Sequence, residues 1–242
     1  MKQILKRLLN RAGLDVVRHR PVPLQLMRRA HLLSRFGVTV VLDVGANAGI
    51  YAGELRQIGY RGRIVSFEPL SSAYAGLAAQ AAGDPAWQAV NLALGSASGE
   101  AVLNVAANSW SSSVRPMLDA HLSAAPDSRY VGTETVRMET LDAVFDRYVR
   151  PDDRVWLKVD TQGHERDVLA GAAASLPRID SIQLEMSPVR LYEGEALFTE
   201  MYDWLVARGY ACVHLEPGLI DPADERLLSL DGYFHRTASS TA

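Results

Sequence analysis

The sequence predicts an α/β protein with a mostly parallel β-sheet, and three observations support this fold class. First, an apolar, β-branched run over residues 38–44 breaks into a glycine-bracketed turn and then a helix. This pattern is typical of a buried parallel strand that leads into a ligand-binding loop. Second, strand-like and helix-like segments alternate along most of the chain. Third, polar residues stand where predicted strands end, which is where parallel sheets bind ligands.

The composition is that of a globular protein with one large domain. The chain has 242 residues, of which 48% are hydrophobic and 22% charged, enough to bury a substantial core. The single cysteine, Cys212, lies in an apolar run, where a buried, inert thiol is expected. The N-terminal apolar stretch is too short and too interrupted by charge for a signal peptide or a transmembrane span, so we expect a cytoplasmic protein.

Positive charge is concentrated at the N-terminus. Residues 1–35 contain nine Lys/Arg and one acidic residue, whereas the remainder contains 16 basic and 27 acidic residues. One face of a helix near the start would carry Ile4, Leu5, Leu8 and Leu9. Such a helix either docks on the domain or on a second subunit, or lies on an anionic membrane surface. We predict a basic helical extension over residues 1–35, with a homo-oligomer or peripheral membrane contact through residues 1–20 as alternatives. The acidic body makes a nucleic-acid partner unexpected.

The turn after the first strand distinguishes between classes of cofactor. A dinucleotide fingerprint that starts at Gly45 requires glycine at positions 47 and 50, but the chain has Asn47 and Ile50. Asn47 places a side chain in the path of a pyrophosphate, and Asp43 adds a carboxylate at the end of the strand. These features favour a cationic ligand such as S-adenosylmethionine. An oxidoreductase that binds a nicotinamide cofactor stays open as an alternative.

Two further strand ends suggest contacts with an adenosine group. The predicted second strand, residues 63–68, ends at Glu68, which lies 23 residues beyond Gly45. This is close to the spacing at which an acid accepts hydrogen bonds from ribose hydroxyls. The predicted third strand, residues 87–93, carries Asn91. Its amide could pair with an adenine edge or simply form a turn.

Residues 96–133 interrupt the alternation of strands and helices. A strand-like segment over residues 101–106 is followed by a polar stretch that contains Pro116, Pro126 and Gly132. An insertion of this length is usually functional or disordered, and we assign it to the substrate side of the site. Trp110, with Ser112 close by, could form a platform for a sugar ring. A tryptophan that merely packs in a surface loop is an equal alternative.

The alternation then resumes and places more polar groups at strand ends. The fourth strand, residues 154–160, leads into a turn and helix that carry His164 and Glu165, and the fifth strand ends at Glu185. Two strands follow near the C-terminus without a helix between the last pair, so the final strand can run antiparallel. The polar strand ends are Asp43, Glu68, Asn91, Asp160 and Glu185. Their convergence favours an active site over a non-catalytic scaffold on the same fold.

Several blocks of the sequence resemble the FkbM family of S-adenosylmethionine-dependent O-methyltransferases. These blocks are residues 42–51, Phe67-Glu-Pro69, Asn91-x-Ala-x-Gly95, Leu141-Asp142, residues 157–165 and residues 168–172. The resemblance covers residues 38 to about 236. It implies a Rossmann-like class I methyltransferase with a seven-stranded, mostly parallel sheet whose last strand is antiparallel, and methylation of a hydroxyl, often on a sugar or polyketide. We therefore predict a methyltransferase domain over residues 36–236 and a disordered tail over residues 237–242.

The resemblance also implies roles for individual residues. The loop from Asp43 through Gly45 and Asn47 to Gly49 would hold the methionine part of S-adenosylmethionine. Glu68 would bind the ribose, and Asn91 would lie near the adenine. One position departs from the family, because many members carry Glu where this chain has Gln162. A carboxylate role at that position therefore cannot be assumed.

Methyl transfer to a hydroxyl requires that the hydroxyl oxygen be aligned with the methyl group and that the hydroxyl proton be removed. The candidates for the base are Asp160, His164 and Glu165, and of these His164 has the ordinary pKa best suited to neutral pH. Helix capping is a competing role for Asp160. Glu185 is assigned to substrate binding with Trp110 and Ser112. No compact set of metal ligands is evident, so no metal is expected, although Asp160 with Glu185 stays open as a metal site.

The basic extension generates a prediction about membrane association. We expect the full chain to sediment with anionic vesicles and a form that starts at Leu24 to sediment less, because the deleted segment carries most of the basic residues of the extension. Neutral vesicles are the control, and high salt should release the protein. Equal sedimentation of both forms would remove the membrane alternative.

Overall fold

The computed structural model describes residues 23–237. The predicted membrane contact through residues 1–20, the rest of the predicted extension (residues 1–35) up to residue 22, and the predicted tail (residues 237–242) beyond Thr237 thus lie outside the described residues. Within them, no helix is long and apolar enough to cross a membrane. The helices are α1 (Leu24–Arg35), α2 (Ile50–Gln57), α3 (Ser71–Ala81), α4 (Asp119–Ala124), α5 (Leu141–Tyr148), α6 (Glu165–Ala170) and α7 (Phe198–Val206). The strands are β1 (Val40–Val44), β2 (Arg63–Phe67), β3 (Trp87–Val90), β4 (Ala93–Leu94), β5 (Gly99–Ala106), β6 (Tyr130–Glu139), β7 (Val155–Val159), β8 (Ser181–Met186), β9 (Tyr210–Pro217) and β10 (Leu230–Arg236).

The main sheet has seven strands in the order β3-β2-β1-β7-β8-β10-β9. Strand β10 pairs antiparallel with both of its neighbours, and the other pairings are parallel. The predicted fold class, including the antiparallel last strand, is confirmed. Strand order reverses next to β1, and such a switch point is where open α/β sheets bind ligands.

Both faces of the sheet are covered, which explains why β1 and β7 are buried along their whole length. On one face, Val41 and Trp156 pack with residues of α1, α2 and α3. On the other face, Leu42 and Leu157 pack with residues of α5, α6 and α7. Because successive side chains of a strand point to opposite faces, the apolar run of residues 38–44 supplies both cores.

The region between β3 and α5 differs from the prediction. The predicted third strand, residues 87–93, is divided, because β3 ends at Val90 and β4 joins a second sheet of order β4-β6-β5. At the break, the Asn91 amide donates to the carbonyl oxygens of Glu68 and Pro69, both at 2.9 Å, which turns the chain away from the main sheet. The inserted residues 96–133 form β5, α4 and the start of β6 rather than an irregular loop.

Strand register aligns two polar rows across the main sheet. The inner row is buried and consists of neighbouring partners on β2, β1, β7, β8 and β10: Ser66, Asp43, Lys158, Gln183 and Tyr233. Two residues closer to the carboxyl ends of the parallel strands, on the same face, the outer row consists of Glu68, Gly45, Asp160, Glu185 and Asp231. Glu185 and Asp231 are direct partners, and the other positions follow when each parallel register is continued by one residue. The outer row brings three of the five predicted polar strand ends, Glu68, Asp160 and Glu185, to one edge, whereas Asp43 lies in the inner row and Asn91 at the strand break.

Gly171, just after α6, provides a test of the packing that supports this edge. A Cβ atom there would lie 2.0 Å from the carbonyl oxygen of Gly95, although the backbone φ of −74° suits any residue. We expect Gly171→Ala to lower the free energy of unfolding by about 1–3 kcal/mol through overpacking, measured by denaturant unfolding. Gly83→Ala is the matched control, because a Cβ at Gly83 would meet no atom within 4 Å. Equal stability of the two variants would contradict this packing.

Candidate active site

A cavity of about 530 Å³ opens at the carboxyl ends of the central strands. This volume is within the usual range for small-molecule sites. Its floor includes Gly45, Asn47 and Glu68, and its far wall includes Asp160 and Glu185. Residues of the insertion also line it, so the cavity lies between the main sheet and the segment that interrupts the α/β alternation.

The loop after β1 is shaped by three left-handed residues, Gly45, Asn47 and Gly49. A Cβ at Gly45 would lie 1.8 Å from the carbonyl oxygen of Asp160, so only glycine permits this approach of the two loops. The Asn47 side chain accepts from the backbone N–H of Ala48 at 2.8 Å and donates to the Ser109 hydroxyl at 3.2 Å. Gly49 starts α2 and is not part of the cavity lining. The loop is therefore pinned to the insertion.

Glu68 lines the cavity with a carboxylate that is held by the backbone. It is only 6% exposed and accepts from the N–H groups of Asn47 at 2.7 Å and Leu70 at 2.9 Å. Burial raises the pKa of Glu68 to about 7, against the lowering effect of these two N–H donors. Asn91 is exposed and outside the lining, because its amide is used at the strand break. A direct adenine contact through Asn91 therefore has no support in the geometry.

Asp43 does not line the cavity and lies fully buried beneath it. Its carboxylate accepts from the Ser66 hydroxyl at 3.0 Å and lies 3.2 Å from the ammonium nitrogen of Lys158. Lys158 also donates to the carbonyl oxygen of Gly45 at 2.9 Å and lies 3.5 Å from an oxygen of Asp160. Asp43 can therefore act on a ligand only through Lys158 and the loop.

Lys158 is the main residue of the site that the sequence reasoning missed. Burial opposes its charge, but Asp43 and Asp160 outweigh this effect, so the pKa of Lys158 is raised and the side chain stays protonated. A signal was available, because Lys158 is the one charged residue in a five-residue strand that is otherwise apolar and fully buried. Buried lysines are rare unless they are paired.

Asp160 and Glu185 are joined by the side chain of Gln162. Its amide nitrogen lies 2.8 Å from Asp160 and 2.7 Å from Glu185, and its carbonyl oxygen accepts from the Tyr192 hydroxyl at 2.6 Å. Gln162 has a φ of +57°, a strained conformation for a residue other than glycine. Burial, and then the charge of Asp160, raise the pKa of Glu185 well above its usual value. The Asp160 side chain is 37% exposed.

The other two candidates for the base have different surroundings. His164 lines the cavity, but its Nδ1 lies 3.1 Å from Asp167 and both ring nitrogens are shielded from solvent. Glu165 is outside the lining and accepts from the backbone N–H groups of Thr161 at 2.7 Å and Gly163 at 3.2 Å. Burial raises the pKa of Glu165 to about 7. Glu165 therefore braces the turn after β7, whereas Asp160 presents an accessible carboxylate.

The residues assigned to substrate binding all line the cavity. Trp110 is 59% exposed at its edge. The Ser112 hydroxyl accepts from the backbone N–H of Ala106 at 3.0 Å, so it also fixes the loop. Glu185 is described above. Further polar lining residues that the sequence did not indicate are Tyr51, His121, Gln183 and Asp231.

A metal-ion site is not evident in the described part of the chain. Residues 23–237 contain no group of three or more His, Cys, Asp or Glu arranged to hold an ion. The Asp160 and Glu185 pair has instead an amide donor between its two carboxylates.

Several solved structures are similar to this chain at low sequence identity. Magnesium protoporphyrin IX methyltransferase from Synechocystis, solved with bound S-adenosylmethionine, is 12% identical over 98% of this chain and 97% of its own, with a TM-score of 0.47. An rRNA methylase from Streptococcus thermophilus is 10% identical over 92% and 100%, with a TM-score of 0.47. TehB from Haemophilus influenzae is 8% identical over 90% and 64%, with a TM-score of 0.49. Similarities at this level carry no information on substrate.

No curated protein matches the sequence significantly. The family comparison is more informative, because the profile described as "Methyltransferase FkbM domain" matches residues 43–212. This match includes the loop after β1, Glu68, the insertion and the turn after β7. It confirms the resemblance noted in the sequence and favours methyl transfer over a nicotinamide-dependent reaction. The chain belongs to the FkbM methyltransferase family, and its methyl donor is S-adenosylmethionine.

Proposed function

We propose that this methyltransferase acts on a hydroxyl group of a sugar, a glycan or a related natural product, with Asp160 as the base. The observation that carries the proposal is the arrangement of one cavity with Glu68 at one side and an accessible Asp160 carboxylate at the other. S-adenosylmethionine supplies a methyl group activated by its sulfonium charge. The residues of the chain must bind it, orient the acceptor and receive the hydroxyl proton.

The cofactor side of the cavity suits the parts of S-adenosylmethionine. Glu68 presents a buried carboxylate, as the ribose hydroxyls require. The backbone of Gly45 and Asn47 would contact the methionine part of S-adenosylmethionine, at the end of the loop that lies next to Asp160. An excess of carboxylates over cations on the lining suits a ligand with a net positive charge.

The choice of Asp160 as base follows from access and charge. A sugar hydroxyl is a weak acid, so a positioned base contributes about 10²–10⁴-fold to the rate. Lys158 lies 3.5 Å from one oxygen of Asp160 and Gln162 donates to the other, and these two contacts orient the carboxylate. The ring nitrogens of His164 are shielded, and the imidazole lies beside Asp167, so it would have to move before it could reach an acceptor.

Residues of the insertion favour a sugar as the acceptor. The exposed face of Trp110 lies at the cavity edge, where an aromatic ring can stack on the C–H groups of a sugar. Ser112 and Gln162 also line the cavity. The Ser112 hydroxyl can donate to a sugar oxygen, and the Gln162 carbonyl oxygen can accept from a sugar hydroxyl. We retain a cytoplasmic location as a further part of this proposal.

The role of Glu68 can be tested by binding alone. We expect calorimetric titration with S-adenosylmethionine to show affinity that Glu68→Ala weakens about 10- to 100-fold, because two hydrogen bonds to a charged acceptor are lost. Affinity should also fall about tenfold from about pH 8 to about pH 6, as the carboxylate protonates through its pKa of about 7. Glu68→Gln is the control and should bind weakly without this pH dependence. Unchanged binding by both variants would remove Glu68 from the cofactor site.

The identity of the base can be tested with any acceptor found in a panel of hydroxylated sugars. We expect Asp160→Asn to lower kcat by about 10²–10⁴-fold while binding of S-adenosylmethionine is retained. His164→Gln should lower kcat less than about tenfold, because its ring nitrogens are shielded. The measurement is transfer of a labelled methyl group under saturating cofactor. A larger loss of kcat in His164→Gln than in Asp160→Asn would assign the role of base to His164.

A further inference from the structure

The acidic outer row continues past the part of the cavity that the methyl donor would use. Asp160 on β7 is followed by Glu185 on β8 and Asp231 on β10, and all three line the cavity. Neighbouring strands are about 4.8 Å apart, so Asp231 lies roughly 10 Å beyond Asp160 along the row. A methionine group held between the loops after β1 and β7 does not extend this far. Glu185 and Asp231 therefore face the acceptor side.

These two carboxylates have no cationic partner in the part of the chain that the structure describes. The permanent cations on the lining are Arg29 and Lys158. Arg29 lies 2.8 Å from Glu54, and Lys158 is held by the two aspartates described above. Gln162 donates to Glu185, which also lies beside Asp160, and Gln183 donates to Asp231, whose pKa the charge of Lys158 lowers. Neither carboxylate forms an ion pair with a described residue, so the acceptor side has more carboxylates than cations.

The placement of Glu185 and Asp231 costs stability. They are direct partners in the antiparallel register of β8 and β10, and like charges at such positions are destabilising. Burial, and then neighbouring carboxylates, raise the pKa of Asp231 to about 6 and that of Glu185 well above its usual value. Two neutral residues would be more stable here. Residue choices that lower stability, such as two acidic residues in direct cross-strand contact, concentrate at functional sites.

A second, independent feature of the same wall points to a ligand. His121 is 5% exposed and lines the cavity, and its Nδ1 has no hydrogen-bond partner among the described residues. Burial lowers its pKa, so the neutral imidazole can accept a hydrogen bond. Its ring meets Tyr192 edge-on at 5.2 Å, and Tyr192 donates to Gln162, which in turn holds Glu185. His121 thus packs against the wall that Tyr192, Gln162 and Glu185 form.

We propose that the acceptor carries a protonated amine near the methylated hydroxyl, and that Glu185 and Asp231 bind this ammonium group. The ligand class is an amino sugar or an amine-bearing natural product. This inference rests on the proposed methyl transfer to a hydroxyl and narrows it. Acceptors with a phosphate or carboxylate at this position are disfavoured, because they would meet two uncompensated carboxylates.

A metal ion fits the same charges less well than an ammonium group. Residues 23–237 contain no group of three or more suitable metal ligands. The Gln162 amide donates into the space between Asp160 and Glu185, where an ion would need an acceptor. An ammonium group needs only two or three acceptors and can approach Glu185 and Asp231 from the cavity.

Three monosaccharides that share a pyranose ring test the proposal. The full chain, saturated with S-adenosylhomocysteine, is titrated with glucosamine, glucose and glucuronate. We expect glucosamine to bind at least about tenfold more tightly than glucose, and glucuronate to bind most weakly. The Glu185→Gln/Asp231→Asn double variant should bind glucosamine and glucose equally. Asp152→Asn, an exposed change at the opposite edge of the sheet, should keep the preference.

Stability and cofactor binding serve as internal controls. The double variant should have an unchanged or higher Tm, because it removes the like-charge pair, so lost binding would not reflect unfolding. Equal binding of glucosamine and glucose, no binding of glucosamine in the millimolar range, or Mg²⁺ binding that glucosamine does not displace would each overturn the inference. Failure of the wild-type chain to bind S-adenosylmethionine would instead overturn the proposed function, and this inference with it.

Discussion

The buried ammonium group of Lys158 is the interaction on which the site depends. It pairs with Asp43 beneath the cavity, donates to the carbonyl of Gly45 in the cofactor loop and lies beside Asp160 on the far wall. One cation thus fixes the end of β1 relative to the end of β7. Removing one member of such a set leaves an uncompensated buried charge, which typically costs several kcal/mol. The charged residues of the site therefore form one coupled unit.

The two polar rows give this unit its geometry. The inner row is buried and neutral or paired, so it is stable and sets the register between strands. The outer row begins two residues later, where the strands leave the sheet and side chains reach the cavity. Gly45 is the gap in the outer row, and the left-handed turn there lets the backbone approach Asp160 closely. In the proposed function, the cofactor and the acceptor therefore bind at different parts of the same outer row.

The insertion completes the cavity from the other side. Asn47 donates to Ser109, and Ser113 donates to the backbone carbonyl of Gln162 at 2.7 Å. These contacts tie one segment to both the cofactor loop and the turn after β7. The cavity therefore has a roof whose position depends on the same loops that would hold the methyl donor and the base. The carboxylates that the roof encloses are desolvated, which explains the raised pKa values of Glu68 and Glu185.

The sequence by itself determined the fold class, because periodicity, glycine-bracketed turns and polar strand ends are local signals. It also indicated Glu68 and Asp160, which stand at the ends of recognisable strands. Tertiary structure alone decided that Asp43 is paired below the cavity, that Asn91 closes a strand break and that Glu165 braces a turn. The sequence shows Lys158 as a charged residue in an apolar strand, but the partners of Lys158 and of Asp231 depend on the register of neighbouring strands, where residues distant in the chain meet. Side-chain partnership and solvent access are properties of packing, and no local pattern encodes them.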